Sequence, residues 1–295
     1  MPTDKSVISH KKTVMGFFKL YSINIRGELY KVTRPLVMGI LNVTPDSFYS
    51  NSRCQGEEAV RTRLHQILEE GADIIDIGGY SSRPNADEVT AEEEYNRLAF
   101  GLKIIREEAP QAIVSVDSFR ADVIRRCHEN YGIEIVNDIA AGELDEKMFA
   151  TVAELKLPYI MMHMRGNPHN MMQQTDYEDI TADVLQYFGE KISAATYAGI
   201  NDIIVDPGFG FSKTIDQNYE LLKNLEAFKY LDKPLLVGVS RKSMIYKLLD
   251  TTPQESLNGT TVIDTVAILK GASIIRVHDV KAAMESVKII EKLNA

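Results

Sequence analysis

Asp117, Asn137 and Asp206 each close a short apolar run. A carboxylate only accepts hydrogen bonds, whereas an Asn both donates and accepts. Three such groups brought together would suit a flat heterocycle carrying several N–H donors and ring acceptors. A second set is basic: Arg83, Lys242, Arg276 and His278 end or follow other apolar runs, and would line the rim of the same pocket. Groups of this kind bind phosphate, and bidentate Arg geometry is favoured. The two sets describe a ligand with a polar ring and an anionic tail. Asn42 ends the run Leu36–Leu41 and offers an amide oxygen compatible with a hard cation shared with a phosphate.

Met162 precedes another strand end and could pack one face of a ring. Phe211, within DPGFGFSK (206–213), could wall the same pocket. The glycines of that segment have neither dinucleotide-fingerprint nor Walker spacing, so they serve close backbone approach or a turn. The six His form no HxH or HExxH pair, which argues against a structural zinc site. Any single strand-end Asp, Asn or Ser has an ordinary use as a helix cap or turn residue, Ser118, Ser243 and Asp279 above all. What singles out the group is its recurrence at nearly every run.

Positioning such residues needs a repeated element. Strands are expected at about Leu36–Leu41, Asp73–Gly78, Ile113–Val116, Ile133–Asn137, Pro158–His163, Ile203–Asp206, Leu235–Val239 and Ser273–Val277. They read as short apolar runs buried on both faces, as in a parallel sheet. Helices are expected between them, for example Gly56–Glu70, with Val60, Leu64, Ile67 and Leu68 at helical spacing, and Ala91–Glu108. Others fall near Arg120–Glu129, Asp145–Leu155, Tyr177–Ala198, Asp216–Leu225, Gln254–Lys270 and Val280–Leu293. Eight such units point to a (β/α)8 TIM barrel, with a doubly wound open sheet as the alternative. Leu20–Val32 reads as a β-hairpin turning near Arg26-Gly27 and closing the bottom of the barrel. Residues 1–17 read as a flexible tail, and 18–295 as one domain. A barrel places its site at the C-terminal ends of its strands, which is where the polar residues stand.

The bulk properties agree. The 295 residues exceed the ~250 that one such barrel requires. Asp and Glu outnumber Lys and Arg by 42 to 33, a net charge of −9, which argues against nonspecific nucleic-acid binding. An anionic ligand must therefore meet a local basic cluster. Two cysteines, Cys54 and Cys127, make no disulfide framework and suit a reducing cytoplasm. No secretory h-region is evident, and no apolar run approaches the ~18 residues of a membrane span.

From Leu36 onward the chain resembles the dihydropteroate synthase family of pterin-binding enzymes. The resemblance rests on GILNVTPDSF (39–48), IIDIGGYSSRP (74–84), VSVDSF (114–119), IVNDIA (135–140), MHMRGNP (162–168), VDPGFGFSK (205–213), GVSRKS (238–243) and RVHDV (276–280), in the family order. It implies condensation of (7,8-dihydropterin-6-yl)methyl diphosphate with 4-aminobenzoate, giving 7,8-dihydropteroate and diphosphate, with Mg2+ as cofactor. It implies a pterin-holding group of Asp117, Asn137, Met162, Asp206 and Lys242, of which Asp117, Asp206 and Lys242 are catalytic. It assigns diphosphate to Asn42, Ser82, Arg83, Arg276 and His278, with Asn42 also at the metal. It assigns 4-aminobenzoate to Ser82, Pro84, Phe211, Lys242 and Ser243. The segment from Val43 to about Cys54, with Asp46, is expected to close over the site. A homodimer and sulfonamide binding are further implications. Tyr80 and Ser82 depart from the frequent GGESTRP, which leaves the role of that carboxylate open. A pterin-dependent methyltransferase barrel and a non-catalytic pterin-binding paralogue are the competing readings.

Overall fold

The computed structural model describes residues 19–43, 53–80 and 89–294. The expected tail and the body of the expected closing segment, 44–52, lie outside the described residues. Ten strands are present among the described residues: β1 Tyr21–Ile25, β2 Glu28–Val32, β3 Leu36–Asn42, β4 Ile74–Gly78, β5 Ile113–Asp117, β6 Ile135–Asp138, β7 Tyr159–Met162, β8 Ile203–Asp206, β9 Leu236–Val237 and β10 Ile274–Val277. The last eight form one parallel sheet in the order β8-β7-β6-β5-β4-β3-β10-β9. A parallel bridge between Val205 and Leu235, with Val205 N donating to Pro234 O at 3.0 Å, joins the two ends. The sheet is thus a barrel, as expected.

Side chains alternate across each strand, so the continuous apolar runs hide two different sets. Val37, Leu41, Ile75, Ile77, Val114, Val116, Val205 and Val237 face outward and form one core with helix residues such as Val60, Leu64 and Ile67. The opposite set starts apolar: Leu36, Met38, Ile74, Ile135, Ile160, Ile204, Leu236 and Ile274 fill the lower barrel. Further along the strands, the same parity reaches Asn42, Asp76, Asp117, Asn137, Met162, Asp206 and Arg276. The interior therefore passes from a dry apolar layer to a polar one. Register sets the level: Asn42 pairs with Gly78, Gly78 with Asp117, and Asp117 with Asn137, while Met162 pairs with Asp206.

The hairpin β1–β2 turns at Arg26 and Gly27, both at positive φ, the geometry that suits a two-residue hairpin loop. Its Ile23, Ile25 and Val32 complete the apolar plug at the lower end. Arg26 Nε donates to the buried Glu134 Oε1 at 2.7 Å, which ties the turn to the bottom of the barrel. Helices cover the outside: α1 Arg53–Glu69, α2 Ala91–Glu108, α3 Ala121–Tyr131, α4 Met148–Leu155, α5 Ile180–Tyr197, α6 Ile215–Lys223, α7 Ser243–Tyr246, α8 Leu257–Leu269 and α9 Val280–Asn294. No helix among the described residues is long and apolar enough to cross a membrane.

Three local expectations need correction. β9 has 2 residues, short of the span Leu235–Val239: Leu235 makes an isolated bridge to Val205, and pairing with β10 covers only Leu236 and Val237. A helix of 4 residues, α7, follows it, and the longer helix begins at Leu257 rather than Gln254. Ser243 is not an N-cap: Lys242 holds that place without a side-chain bond, and Ser243 is the first helical residue.

Candidate active site

The polar layer is organised by Arg276 of β10. Its Nε donates to Asp76 Oδ2 at 2.6 Å, and its Nη2 donates to Asp117 Oδ2 at 2.8 Å. Asn137 joins them, its Nδ2 lying 3.2 and 3.3 Å from the two oxygens of Asp76. Burial works against the Arg276 charge, yet Asp76 and Asp117 outweigh it and hold the guanidinium protonated. Burial pushes the Asp117 carboxyl up to about 7; Arg276 opposes that rise and Asp76 adds to it. The sequence places Arg276 on the rim with the other cations. It lies instead inside the barrel mouth, and among the described residues its Nη1 makes no hydrogen bond.

The neighbouring quadrant joins Asp206 to Lys242. Asp206 Oδ1 accepts from Gly208 N at 2.8 Å, so the carboxylate is oriented by its own loop. Burial raises its affinity for a proton, and the Lys242 charge opposes that. Burial brings Lys242 down to about 8, with Asp206 acting against the shift. The Lys242 ammonium donates to Phe209 O at 2.5 Å and stands 4.7 Å from the centroid of Phe211. An apolar wall borders this quadrant: Ile139, Ala140, Met162, Met164 and Met171, with Phe119 and Phe211 against them. Met162 and Phe211 are thus brought together in one cluster, with Asp206 and Lys242 nearby.

The loop after β8 owes its shape to a buried lysine. Lys213 Nζ reaches Gly208 O and Phe211 O at 3.0 Å each and His163 Nδ1 at 2.9 Å. Burial lowers the proton affinity of both groups, and His163, brought to about 2, is neutral and accepts from Lys213. Gly208 sits at φ +71°, and a Cβ there would lie 2.1 Å from His163 O. Gly208→Ala is therefore expected to destabilise the fold by about 2–4 kcal/mol, through backbone strain and a clash that cannot relax. It should also displace the Asp206 carboxylate. Thermal unfolding of the variant checks the first effect, and ligand binding the second.

His278, just past the end of β10, differs from the ready cation expected there. Burial, then the nearby Arg276 charge, lowers it to about 4, so it is neutral at pH 7. Ser240 Oγ accepts from His278 N at 3.1 Å and lies 3.0 Å from Nδ1. With one lone pair taken by the backbone N–H, the Ser240 hydrogen is available to Nδ1, the arrangement in which Nε2 is the ring N–H donor. Arg63 of α1 donates to His278 O at 2.6 Å and fixes the backbone there. The adjacent Arg241 is spent on structure, paired with Asp279 at 2.7 and 2.8 Å.

Asn42 stands at the barrel mouth beside Gly78, and among the described residues its side chain makes no hydrogen bond. Ser243 follows Lys242 at the start of α7. Ser82, Arg83 and Pro84 lie outside the described residues. Asp76 and Ser240 were missed as site residues. Asp76 carried a usable signal: a lone carboxylate inside the run IIDIG (74–78) must find a partner once buried. Ser240 carried none, since its role depends on a residue 38 positions away. Among the described residues no cluster of three or more His, Cys, Asp or Glu could hold a metal ion. A hollow of about 560 Å³ at the opposite face, lined by Arg26, Arg106, His128 and Glu134 among others, has its arginines paired with Glu134.

Residues 38–278 match the model of the family described as pterin binding enzyme. The chain is 41% identical over 268 residues to a dihydropteroate synthase of Escherichia coli K12, covering 90% of this chain and 94% of that one. Its fold superposes with a TM-score of 0.85 on the dihydropteroate synthase of Yersinia pestis in complex with a sulfonamide drug, at 37% identity, with 92% and 98% of the two chains covered. The Xanthomonas albilineans enzyme with 4-aminobenzoic acid gives a TM-score of 0.85 at 34% identity, with 94% and 99% covered.

Proposed function

The chain belongs to the pterin-binding enzymes, as a dihydropteroate synthase, and from that premise we propose how its residues perform the condensation. The observation that carries the proposal is the Arg276 hub. One guanidinium joins the ring-reading carboxylates to the anion side of the site, and among the described residues nothing occupies its Nη1. (7,8-Dihydropterin-6-yl)methyl diphosphate enters with its ring over Asp117, Asn137 and Asp206. Their oxygens accept from the ring N–H groups, Lys242 donates to a ring acceptor, and Met162 packs one face. The diphosphate lies toward Asn42, Arg276 Nη1 and the His278 ring; the resemblance assigns Ser82 and Arg83 to it as well, both outside the described residues. 4-Aminobenzoate sits against Phe211, its carboxylate toward Ser243 and Lys242; the resemblance adds Ser82 and Pro84, which lie outside the described residues.

The half-buried, uncommitted amide oxygen of Asn42 fits a hard cation that takes its other ligands from the diphosphate and water. Mg2+ bound there would neutralise charge on the leaving group. The protein's own share is a positioned field. Arg276, Arg83 and the His278 N–H stabilise the charge that gathers on the departing diphosphate. Loss of that group leaves a pterin-methyl cation, whose positive charge faces Asp117 and Asp206. The amine of 4-aminobenzoate then attacks the methylene carbon. This order predicts that 18O placed in the carbon–oxygen–phosphorus bridge scrambles into the non-bridging positions when 4-aminobenzoate is withheld. Label that stays in the bridge, in a protein that turns over normally, would contradict it.

Lys242 donates to Phe209 O, and its charge strengthens donation to the ring and balances the nearby Asp206. Its charge is present below about 8 and lost above. Hence kcat/KM is expected to fall as pH rises past about 8, and Lys242→Arg should move that fall beyond the accessible range. A pH–rate profile of both proteins checks it.

A sulfonamide should compete with 4-aminobenzoate for the Phe211–Ser243 pocket. Val262 on α8 and Ile289 and Leu293 on α9 are exposed apolar residues on helices that pack together, and they support a homodimer through that face. The buried free thiol of Cys127 supports a reducing cytoplasm. The family match over 38–278 supports one domain across 18–295.

A further inference from the structure

We propose that Asp76 is a positioning residue that sets the hydrogen-bond polarity of the pterin pocket, by holding Asn137 with its amide nitrogen turned inward and its carbonyl oxygen outward. The proposal rests on the functional reading above for the identity of the ligand. Asp76 is fully buried in β4 and touches no substrate position itself. Its two oxygens accept from Arg276 Nε and from Asn137 Nδ2. A carboxylate paired with a guanidinium offers acceptors only, so the Asn137 atom that faces it must be the NH2. The Asn137 oxygen then points away from Asp76, and among the described residues it makes no hydrogen bond. With the free oxygens of Asp206 and of ionised Asp117, the site presents several acceptors. Such a set reads the N–H donors of a 2-amino-4-oxopteridine edge and rejects rings that place acceptors there. Without Asp76, the Asn137 amide is free to turn over, which replaces an acceptor by a donor at the same spot.

A buried amide whose partner must be an acceptor cannot be exchanged silently. In Asp76→Asn, the new side chain keeps its oxygen on Arg276 Nε and directs its NH2 at Asn137. Asn137 must flip to accept, and its own NH2 then faces the ring. In Asn137→Asp alone, two carboxylates would meet across the distance now bridged by a hydrogen bond. In the double exchange Asp76→Asn/Asn137→Asp, the amide now at position 76 accepts from Arg276 and donates to the carboxylate now at position 137. The other oxygen of that carboxylate again faces the ring, and the net charge is unchanged.

The experiment is calorimetric binding of pteroic acid to the purified parent, both single variants and the exchange. Each single variant is expected to bind at least about tenfold more weakly, as for a buried hydrogen bond left unmade, and the exchange to return to within about threefold of the parent. A residue that merely supports the fold would not be rescued by exchanging the two side chains. Parent-like binding by Asp76→Asn, or an exchange no better than the weaker single variant, would overturn the assignment of Asp76. A parent protein that binds no pteroic acid would instead overturn the functional reading on which the proposal rests.

Discussion

Arg276→Met is expected to abolish measurable turnover and to cost about 3–5 kcal/mol of stability, the usual penalty for breaking a buried ion pair by removing one partner. The methionine fills similar volume, so the loss is electrostatic. Asp76 and Asp117 would remain buried with no cation between them. Asp117 already holds its proton up to about 7 with Arg276 present. Without the guanidinium Asp117 would bind its proton still more tightly in the folded state than in the unfolded chain. The sign follows from linkage: where the folded state binds more protons, stability falls as pH rises. The variant should therefore come nearest to its parent below about pH 4, the ordinary carboxyl range, and lose ground progressively through neutrality. Melting curves at about pH 5 and about pH 8, either side of the raised carboxyl range, check this. A stability gap that is equal at both would mean that Arg276 does not neutralise the pair. The turnover loss has a separate origin, the missing Nη1 donor at the diphosphate, and binding of diphosphate alone should be lost with it.

Asp206→Asn is expected to lower kcat by about 100- to 1000-fold, in the range typical of removing a group that stabilises transition-state charge. The change is nearly isosteric. The new side chain can still accept from Gly208 N, so the loop after β8 keeps its anchor. What changes is the second oxygen, which becomes a donor, and the negative charge opposite the pterin-methyl cation. Lys242 loses its counter-charge as well, so its proton should be released below the parent's value of about 8. The kinetic signature is a large fall in kcat with the high-pH limb moved toward neutrality. Asp206→Ala should be at least as damaging, and it would also free the loop. Near-parent kcat in Asp206→Asn would remove Asp206 from the catalytic group.

The barrel was legible because its strands are short apolar runs punctuated by polar residues, and the helices between them carry a clear 3.6-residue pattern. The site was legible in part for the same reason: Asp117, Asn137 and Asp206 stand where runs stop. The pairing inside the site was not. Arg276 and Asp76 are 200 positions apart, and only the placement of β10 next to β3 and β4 beyond it brings them together. A guanidinium read from sequence looks like a rim group because its length permits solvent. Two buried carboxylates pull it inward instead. The neutral state of His278 was likewise invisible, since it follows from burial and from the Arg276 charge. β9 was overread because Leu235–Val239 is largely apolar, although only Leu236 and Val237 pair in the sheet with β10. The resemblance supplied the ring and the anion, but the geometry supplies the reason they share one site: a single guanidinium holds both halves.

The pterin-methyltransferase and paralogue readings keep the ring pocket and drop the diphosphate chemistry. Arg276 Nη1, the His278 N–H fixed by Ser240, and the uncommitted Asn42 amide stand against both, since a pterin pocket alone needs none of them. The most direct measurement is turnover of the purified protein with dihydropterin methyl diphosphate, 4-aminobenzoate and Mg2+, following both products. The account predicts 7,8-dihydropteroate and diphosphate in equal amounts, with formation of both lost in Arg276→Met. A protein that binds pteroic acid tightly yet releases no diphosphate under these conditions would contradict it.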